Sequence, residues 1–394
     1  MLVRATLRFV AVTVTALLLS SETSAAERCA DRFIGGFVHG ARSAYSAFTR
    51  CGRIVSIATG TASIAVSYRH APSSALVAVS QSEADDELAF LLDDTGRVSA
   101  VQRGEVAWIS PAEAGLGGVI LYEPVVVEGM VVVAASDRLT TLHERSGRVV
   151  WRQDWSSEIV GQPRAVSGRI VVPSRSGVRV VDPMTGTILS SLCGDNEAYG
   201  ATAAVGGLFL INRARRRPLS LCGFNEGSLR LLWEVELAGP LGKRGHAVSR
   251  IDFFGGAIQV VSCQPAASPF TTSCRPTDTT LAAFRDGVML WSRSHPDTLA
   301  GDMTLVDENT LISSVVGFVN GQSFTWLRSL ARSSGATQWE RWFGGSRPIL
   351  VGPAGARVDS SVLLMLGMEL FVVHQRSGDT LVRLRLGTPR AQIE

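Results

Sequence analysis

The 394-residue sequence predicts an all-β fold assembled from repeated strand-and-hairpin units. Three observations predict it: a period near 40 residues through the middle of the chain, a glycine turn that returns in successive units, and tryptophans placed four residues after several of those glycines.

The clearest copy begins at Pro124 and reads PVVVEGMVVVAASDRLTTLHERSGRVVW, ending at Trp151, and the next begins at Pro163 with PRAVSGRIVVPSRSGVRVVDPMTGTILS. Three landmarks shift together by 39: Pro124 to Pro163, Gly129 to Gly168, and Gly147 to Gly186. Such self-similarity marks an array in which each unit extends one continuous core, so a chain of this length need not divide into several domains. Within a unit, an apolar run, a polar break, a second alternating run and a Ser-Gly or Thr-Gly turn spell out strands joined by hairpins. Valine and isoleucine suit the pleated surface, and glycine supplies the positive φ that the turn demands.

The turn glycines are Gly104, Gly147, Gly186, Gly227, Gly287, Gly335 and Gly378, with gaps of 43, 39, 41, 60, 48 and 43 residues. The 60-residue gap contains Cys263 and Cys274, which bracket a stretch with Pro265 and Pro269. A disulfide between those two cysteines is the candidate pairing and would close a loop inserted in that unit. Around Gly52 the segment AFTRCGRIV reads as a degenerate further copy, and the 368 residues after position 26 divide into eight units of 46. The expectation is a single ring of seven or eight units, with eight ahead of seven.

Trp108, Trp151, Trp291 and Trp339 each sit four residues after Gly104, Gly147, Gly287 and Gly335. A flat indole at that offset is expected to dock across the glycine turn of the neighbouring unit, where the missing Cβ permits close approach.

Residues 1–26 read as a signal peptide: Arg4 and Arg8 at the charged start, an apolar run from Phe9 to Leu19, and a small-residue site at Ser24-Ala25-Ala26. Residues 27–394 then form the repeat domain, in the periplasm or outside the cell, with no transmembrane segment once the signal is removed. Glu27 and Arg28 separate Ala26 from Cys29, which argues against a lipid anchor. Six cysteines in an exported chain are compatible with three disulfides. Cys29 with Cys51 and Cys193 with Cys222 are the simplest remaining pairs, and other pairings stay open.

The unit resembles the PQQ-like (quinoprotein-type) β-propeller repeat, whose pattern ends in Ala-x-Asp-x-x-Thr-Gly-x-x-x-Trp. Val180, Asp182, Thr185 and Gly186 follow that pattern, with Ser190 in place of the tryptophan. Thr141, His143, Ser146, Gly147 and Trp151 keep its spacing, Trp233 stands displaced by two positions from Gly227, and Val382 occupies the last tryptophan position. The resemblance covers residues 90 to 385. It implies four-stranded blades in one β-propeller and a ring closed by a strand that the segment after Glu27 lends to the last blade.

Propellers of this family serve both as quinone-dependent dehydrogenases and as noncatalytic scaffolds of the outer-membrane assembly type, so fold alone does not select a function. A dehydrogenase of this class implies a calcium site, a catalytic aspartate and often two adjacent cysteines, and no two cysteines here are adjacent. The acidic clusters Asp85-Asp86-Glu87, Asp93-Asp94 and Asp307-Glu308 lack the spacing of a defined calcium loop. The six histidines are dispersed, and His143 and His374 share one place in their repeats, which predicts a turn hydrogen bond and not a metal ligand.

No nucleophile elbow, phosphate loop or dinucleotide fingerprint is present. Aromatic residues make up only 7%, and the basic run Arg213, Arg215, Arg216 and Arg217 reads as a solvated loop tip, so nucleic acid is not an expected partner. The leading expectation is a noncatalytic, monomeric scaffold that holds a protein partner in the cell envelope, with no cofactor, no metal and no catalytic residues. The alternatives are a quinone-dependent dehydrogenase-like propeller with a degenerate site and a ligand- or carbohydrate-binding propeller with exposed aromatics.

Overall fold

The computed structural model describes residues 32–385, apart from 40–43, 59–62, 69–74, 83–87, 104, 112–120, 193–196, 205–206, 214–218, 226, 237–246, 255–256, 264–276, 286, 306–308, 321, 346–347 and 352–360. Its described elements are all strands.

The first sheet is β1 (Phe33–His39), β2 (Ala44–Thr49), β3 (Arg53–Ala58) and β4 (Ser63–Tyr68). The second is β5 (Leu76–Gln81), β6 (Leu88–Asp93), β7 (Val98–Gln102) and β8 (Glu105–Ile109), and the third β9 (Val125–Val127), β10 (Met130–Ala135), β11 (Arg138–His143) and β12 (Val149–Asp154). The fourth is β13 (Arg164–Val166), β14 (Arg169–Ser174), β15 (Gly177–Val181) and β16 (Ile188–Leu192), and the fifth β17 (Glu197–Ala204), β18 (Gly207–Arg213), β19 (Leu219–Phe224) and β20 (Leu231–Glu236). A seven-stranded sheet follows: β21 (Ala247–Phe254), β22 (Ala257–Cys263), β23 (Thr277–Arg285), β24 (Val288–Leu305), β25 (Thr310–Val319), β26 (Gln322–Ala331) and β27 (Thr337–Gly344). The last sheet is β28 (Pro348–Val351), β29 (Ser361–Leu366), β30 (Glu369–His374) and β31 (Thr380–Arg385).

Every sheet is an antiparallel meander in chain order. In the seven-stranded sheet, β24 is 18 residues long and changes partner along its length: Val288 to Thr298 pair with β23, and Thr298 to Leu305 pair with β25. Its first half therefore ends one four-stranded unit and its second half begins the next. The opening strands of successive units touch in order, β1 to β5, β9, β13, β17, β21, β24 and β28, and β28 touches β1 again.

The core lies between sheets. Phe90, Leu92 and Ala100 of the second sheet pack on Val131, Val133 and Leu142 of the third, while Val132, Ala134 and Leu139 pack on Ile170, Val172 and Val181 of the fourth. Middle strands are thus covered on both faces, and β10 (MVVVAA) and β29 (SVLLML) are buried at every position. The last strand of a unit is different. In β12, half-buried and exposed residues alternate, because successive side chains point to opposite faces and one face of this outer strand is left to solvent.

Among the described residues the ring closes by packing, with no strand shared between its two ends. Among the described residues the last sheet draws all four strands from its own segment, and β1 opens a sheet of its own, so the expected loan of an N-terminal strand is corrected. Phe33, Ala47 and Val55 instead pack on Leu363, Met365, Val372 and Val382, and the Phe33 amide donates to the Gly367 carbonyl at 2.8 Å. Gly52 also changes place. It lies in the turn between β2 and β3, whereas Gly147, Gly186, Gly335 and Gly378 precede the last strand of their units.

Candidate functional site

The repeated element is a lock between neighbouring units. In the third unit, Gly147 adopts φ of +66° in the turn before β12, and the indole of Trp108 from the second unit lies flat on it. The same contact joins Trp151 to Gly186, Trp291 to Gly335 and Trp339 to Gly378, all with positive φ at the glycine. A Cβ on Gly335 would stand 2.6 Å from Trp291 Cδ2, and one on Gly186 would stand 3.0 Å from Trp151 Cδ2.

Each of these indoles also reaches a carbonyl three residues before its glycine. The N–H groups of Trp108, Trp151, Trp291 and Trp339 donate to the carbonyls of Glu144 (2.8 Å), Pro183 (2.8 Å), Arg332 (2.8 Å) and Gln375 (2.7 Å). The lock thus combines close apolar contact with a satisfied polar handle.

A β-bulge aims the tryptophan. Thr141 pairs with Trp151 while Leu142 pairs with Val149, leaving Val150 unpaired. The same slip occurs before Trp108, Ser190, Trp233, Trp291, Trp339 and Val382, at the corresponding place in each unit. An extra residue bends the strand and re-aims the next side chain. Sequence spacing carries this signal only as the constant offset of four.

One unit departs from the expected assignment. Gly227 has no positive φ and meets no tryptophan; the left-handed position is held by Leu229, with φ of +53°. Asn225 accepts from the Ser228 amide at 2.9 Å, as Asp182 accepts from Thr185 at 2.8 Å, so the two turns align with Leu229 at the place of Gly186. Trp233 is then four residues after the turn position and is not displaced. It rests on Gly287 of the following unit, whose Cβ would stand 3.3 Å from Trp233 Cδ2. Gly104, Cys29, Cys193 and Cys274 lie outside the described residues, and the candidate Cys263 with Cys274 falls there too; Cys222 is buried and not part of a disulfide, so its expected pairing with Cys193 is corrected.

The unit whose tryptophan is replaced by Ser190 is followed by the unit whose glycine is replaced by Leu229. Leu229 is buried against Val178, Val180 and Leu192 of the preceding unit. Large and small side chains have exchanged sides of that seam.

The residues considered for chemistry are engaged in turns. Asp93 accepts from the amides of Thr95 and Arg97, both at 2.9 Å, and from the Thr95 hydroxyl at 2.6 Å. His143 Nδ1 meets the Ser146 hydroxyl at 3.2 Å, and His374 Nδ1 meets that of Ser377 at 3.1 Å. The hydrogen bonds of the Asp182 turn, first from the Thr185 amide, hold its carboxyl below the usual carboxylate range. The clusters at 85–87 and 307–308, the basic run beyond Arg213 and residues 1–26 lie outside the described residues. Among the described residues no group of three or more His, Cys, Asp or Glu is placed to hold a metal ion, and no helix is long and apolar enough to cross a membrane.

Surface chemistry gathers on the outer strands. Ile188 and Leu189 of β16, Leu231 and Leu232 of β20, and Met289 and Leu290 of β24 are exposed, with Leu232 at 60%. In each of the three units these are the two residues before the tryptophan position, and the second of each pair is the bulged residue.

Antiparallel meanders packed face to face around a closed ring define a β-propeller. The chain belongs to the family of the outer membrane protein assembly factor BamB, whose model matches residues 94–351. Among solved structures it is similar to BamB from Moraxella catarrhalis (13% identity, TM-score 0.52, covering 79% of this chain and 88% of that one). It is also similar to the C-terminal WD40 domain of Sif2 (9% identity, TM-score 0.61, 85% and 93%). A third is the quinohemoprotein alcohol dehydrogenase from Comamonas testosteroni (11% identity, TM-score 0.50, 77% and 66%). At these identities the likeness is one of fold. A sequence search of curated proteins returned no match.

Proposed function

We propose that the chain is an exported, noncatalytic propeller of eight blades that holds a protein partner in the cell envelope. The blade number follows from taking the seven-stranded sheet as two blades sharing β24. Family membership supports the scaffold reading.

The observation that carries it is the apolar rim on β16, β20 and β24. Solvent-facing leucine, isoleucine and methionine recur at the same two positions of three successive units, and large apolar side chains left in water are candidates for a contact surface. A partner protein covering that rim buries them.

The test places a photo-crosslinking residue at Leu189, Leu232 or Leu290 in the full-length chain expressed in cells. One discrete adduct at these positions, absent when the residue sits at Arg152 on the outer strand of the third unit, supports the reading. A Leu189→Asp, Leu232→Asp, Leu290→Asp variant that remains folded and still yields the same adduct through another position overturns the rim as the docking surface.

A further inference from the structure

The strands β26 and β27 run to ten and eight residues, where β11 and β12 have six each. An aromatic row stands at this end of the pair: Trp326 and Trp342 take the places of Arg138 and Asp154, and the added length continues it with Phe324 and Gly344. Side chains two apart share a face, so Phe324, Trp326 and Arg328 stand together, and cross-strand pairing sets Gly344, Trp342 and Glu340 opposite them in that order.

Trp342 is 55% exposed. It is held edge-to-face against Trp326, with ring centroids 4.3 Å apart at 89°, and makes a second edge contact with Phe324 at 6.5 Å. Arg328 lies 5.2 Å from the centroid of the Trp326 ring, and its Nε sits 2.6 Å from Glu340 Oε2. The Trp326 ring lies over Gly317 of β25, where a Cβ would stand at an ordinary contact distance of 3.5 Å. Opposite Phe324, Gly344 leaves a notch: a Cβ at that position would meet nothing within 4 Å. Among the described residues the buried Trp326 N–H has no hydrogen-bond acceptor.

We propose that this row is a saccharide subsite, in which the apolar face of a neutral sugar ring stacks on Trp342 and an edge of the ring enters the notch at Gly344 beside Phe324. Charge selects the ligand. Arg328 and Glu340 neutralise one another, so the flank presents hydroxyl-binding groups without the net positive charge that a phosphate or carboxylate would need. The row lies on strands other than the apolar rim, and this assignment stands or falls independently of the scaffold reading.

The experiment is isothermal titration of the full exported chain with maltohexaose, cellohexaose and chitohexaose. Saturable binding of one of the three is expected. Trp342→Ala should then weaken it roughly tenfold or more, while Trp342→Phe keeps most of it. Trp342→Phe should melt near the wild-type temperature, whereas Trp342→Ala gives up the edge contacts with Trp326 and Phe324, so its binding is read well below its own melting temperature. The proposal is overturned if none of the three sugars binds saturably, or if Trp342→Ala binds as tightly as the wild type. It is equally overturned if Trp342 is needed for capture of a protein while no sugar binds.

Discussion

Trp291 lies flat against Gly335 of the next unit, its Cδ2 and Cε3 2.6 Å from where a Cβ would stand, while its N–H donates to the Arg332 carbonyl three residues earlier. Neither residue tolerates change alone. Gly335→Ala meets both a φ of +67° and the indole, and is expected to cost about 2–4 kcal/mol. Trp291→Ala removes a buried ring and is expected to cost about 3–5 kcal/mol. In the Trp291→Ala background the alanine at 335 should cost only the backbone strain. Thermal melts of the four proteins decide it: strictly additive losses would mean that the two residues do not act as a lock.

The seam between Ser190 and Leu229 offers the opposite experiment. Ser190→Trp alone sets an indole against Leu229, and Leu229→Gly alone empties a site buried among Val178, Val180 and Leu192. Each single change should lower the melting temperature. The double variant rebuilds the lock found at the neighbouring seams and should recover part of the loss, with a coupling of about 0.5–3 kcal/mol. A double variant less stable than either single one would show that this seam has lost the geometry to accept a tryptophan.

The sequence carried the repeat more clearly than its register. Glycines and tryptophans at a constant offset are visible because backbone sterics and ring size admit few substitutes at those positions. Leu229 hid the turn of its unit because a leucine at positive φ is rare, and the nearby Gly227 offered a better-looking candidate two residues away. The bulges left no residue type of their own, since any side chain can be the unpaired one. The aromatic row was illegible for a further reason: Phe324 and Trp326 join Trp342 and Gly344 only through cross-strand pairing, at a distance along the chain that depends on the hairpin between them.

Acid should loosen the turns. The Asp182 carboxyl is held below its ordinary value of 3.8, first by the Thr185 amide and then by the Thr185 hydroxyl and the Met184 amide. Asp379 is lowered by its hydrogen bond with Ser377 and by Arg341. A depressed folded value means that the stabilisation is present above pH 3.8 and is lost as pH falls through the folded value. Asn225 performs the same task in the next unit without titrating. Asp182→Asn should therefore melt close to wild type at neutral pH and lose less stability on acidification. Parallel loss in both proteins from pH 5 to pH 3 would remove Asp182 from the account.

Alkali should act through Tyr122. Burial, and secondarily the charge of Glu158, push its hydroxyl from 10.0 up to about 12, and that hydroxyl donates to the Ile159 carbonyl at 2.8 Å. Since the folded value is raised, the contribution is complete below pH 10 and is lost as pH rises toward 12, because the unfolded chain ionises first. Tyr122→Phe leaves the Ile159 carbonyl without this donor and should cost about 1–3 kcal/mol at neutral pH. Between pH 10 and 12 the wild type alone pays the ionisation of this side chain, so the gap between the two melting curves should narrow. A gap that stays constant across that range would mean that Tyr122 ionises equally readily in the folded and unfolded chains, and that its burial beneath the third and fourth units does not hold the hydroxyl neutral.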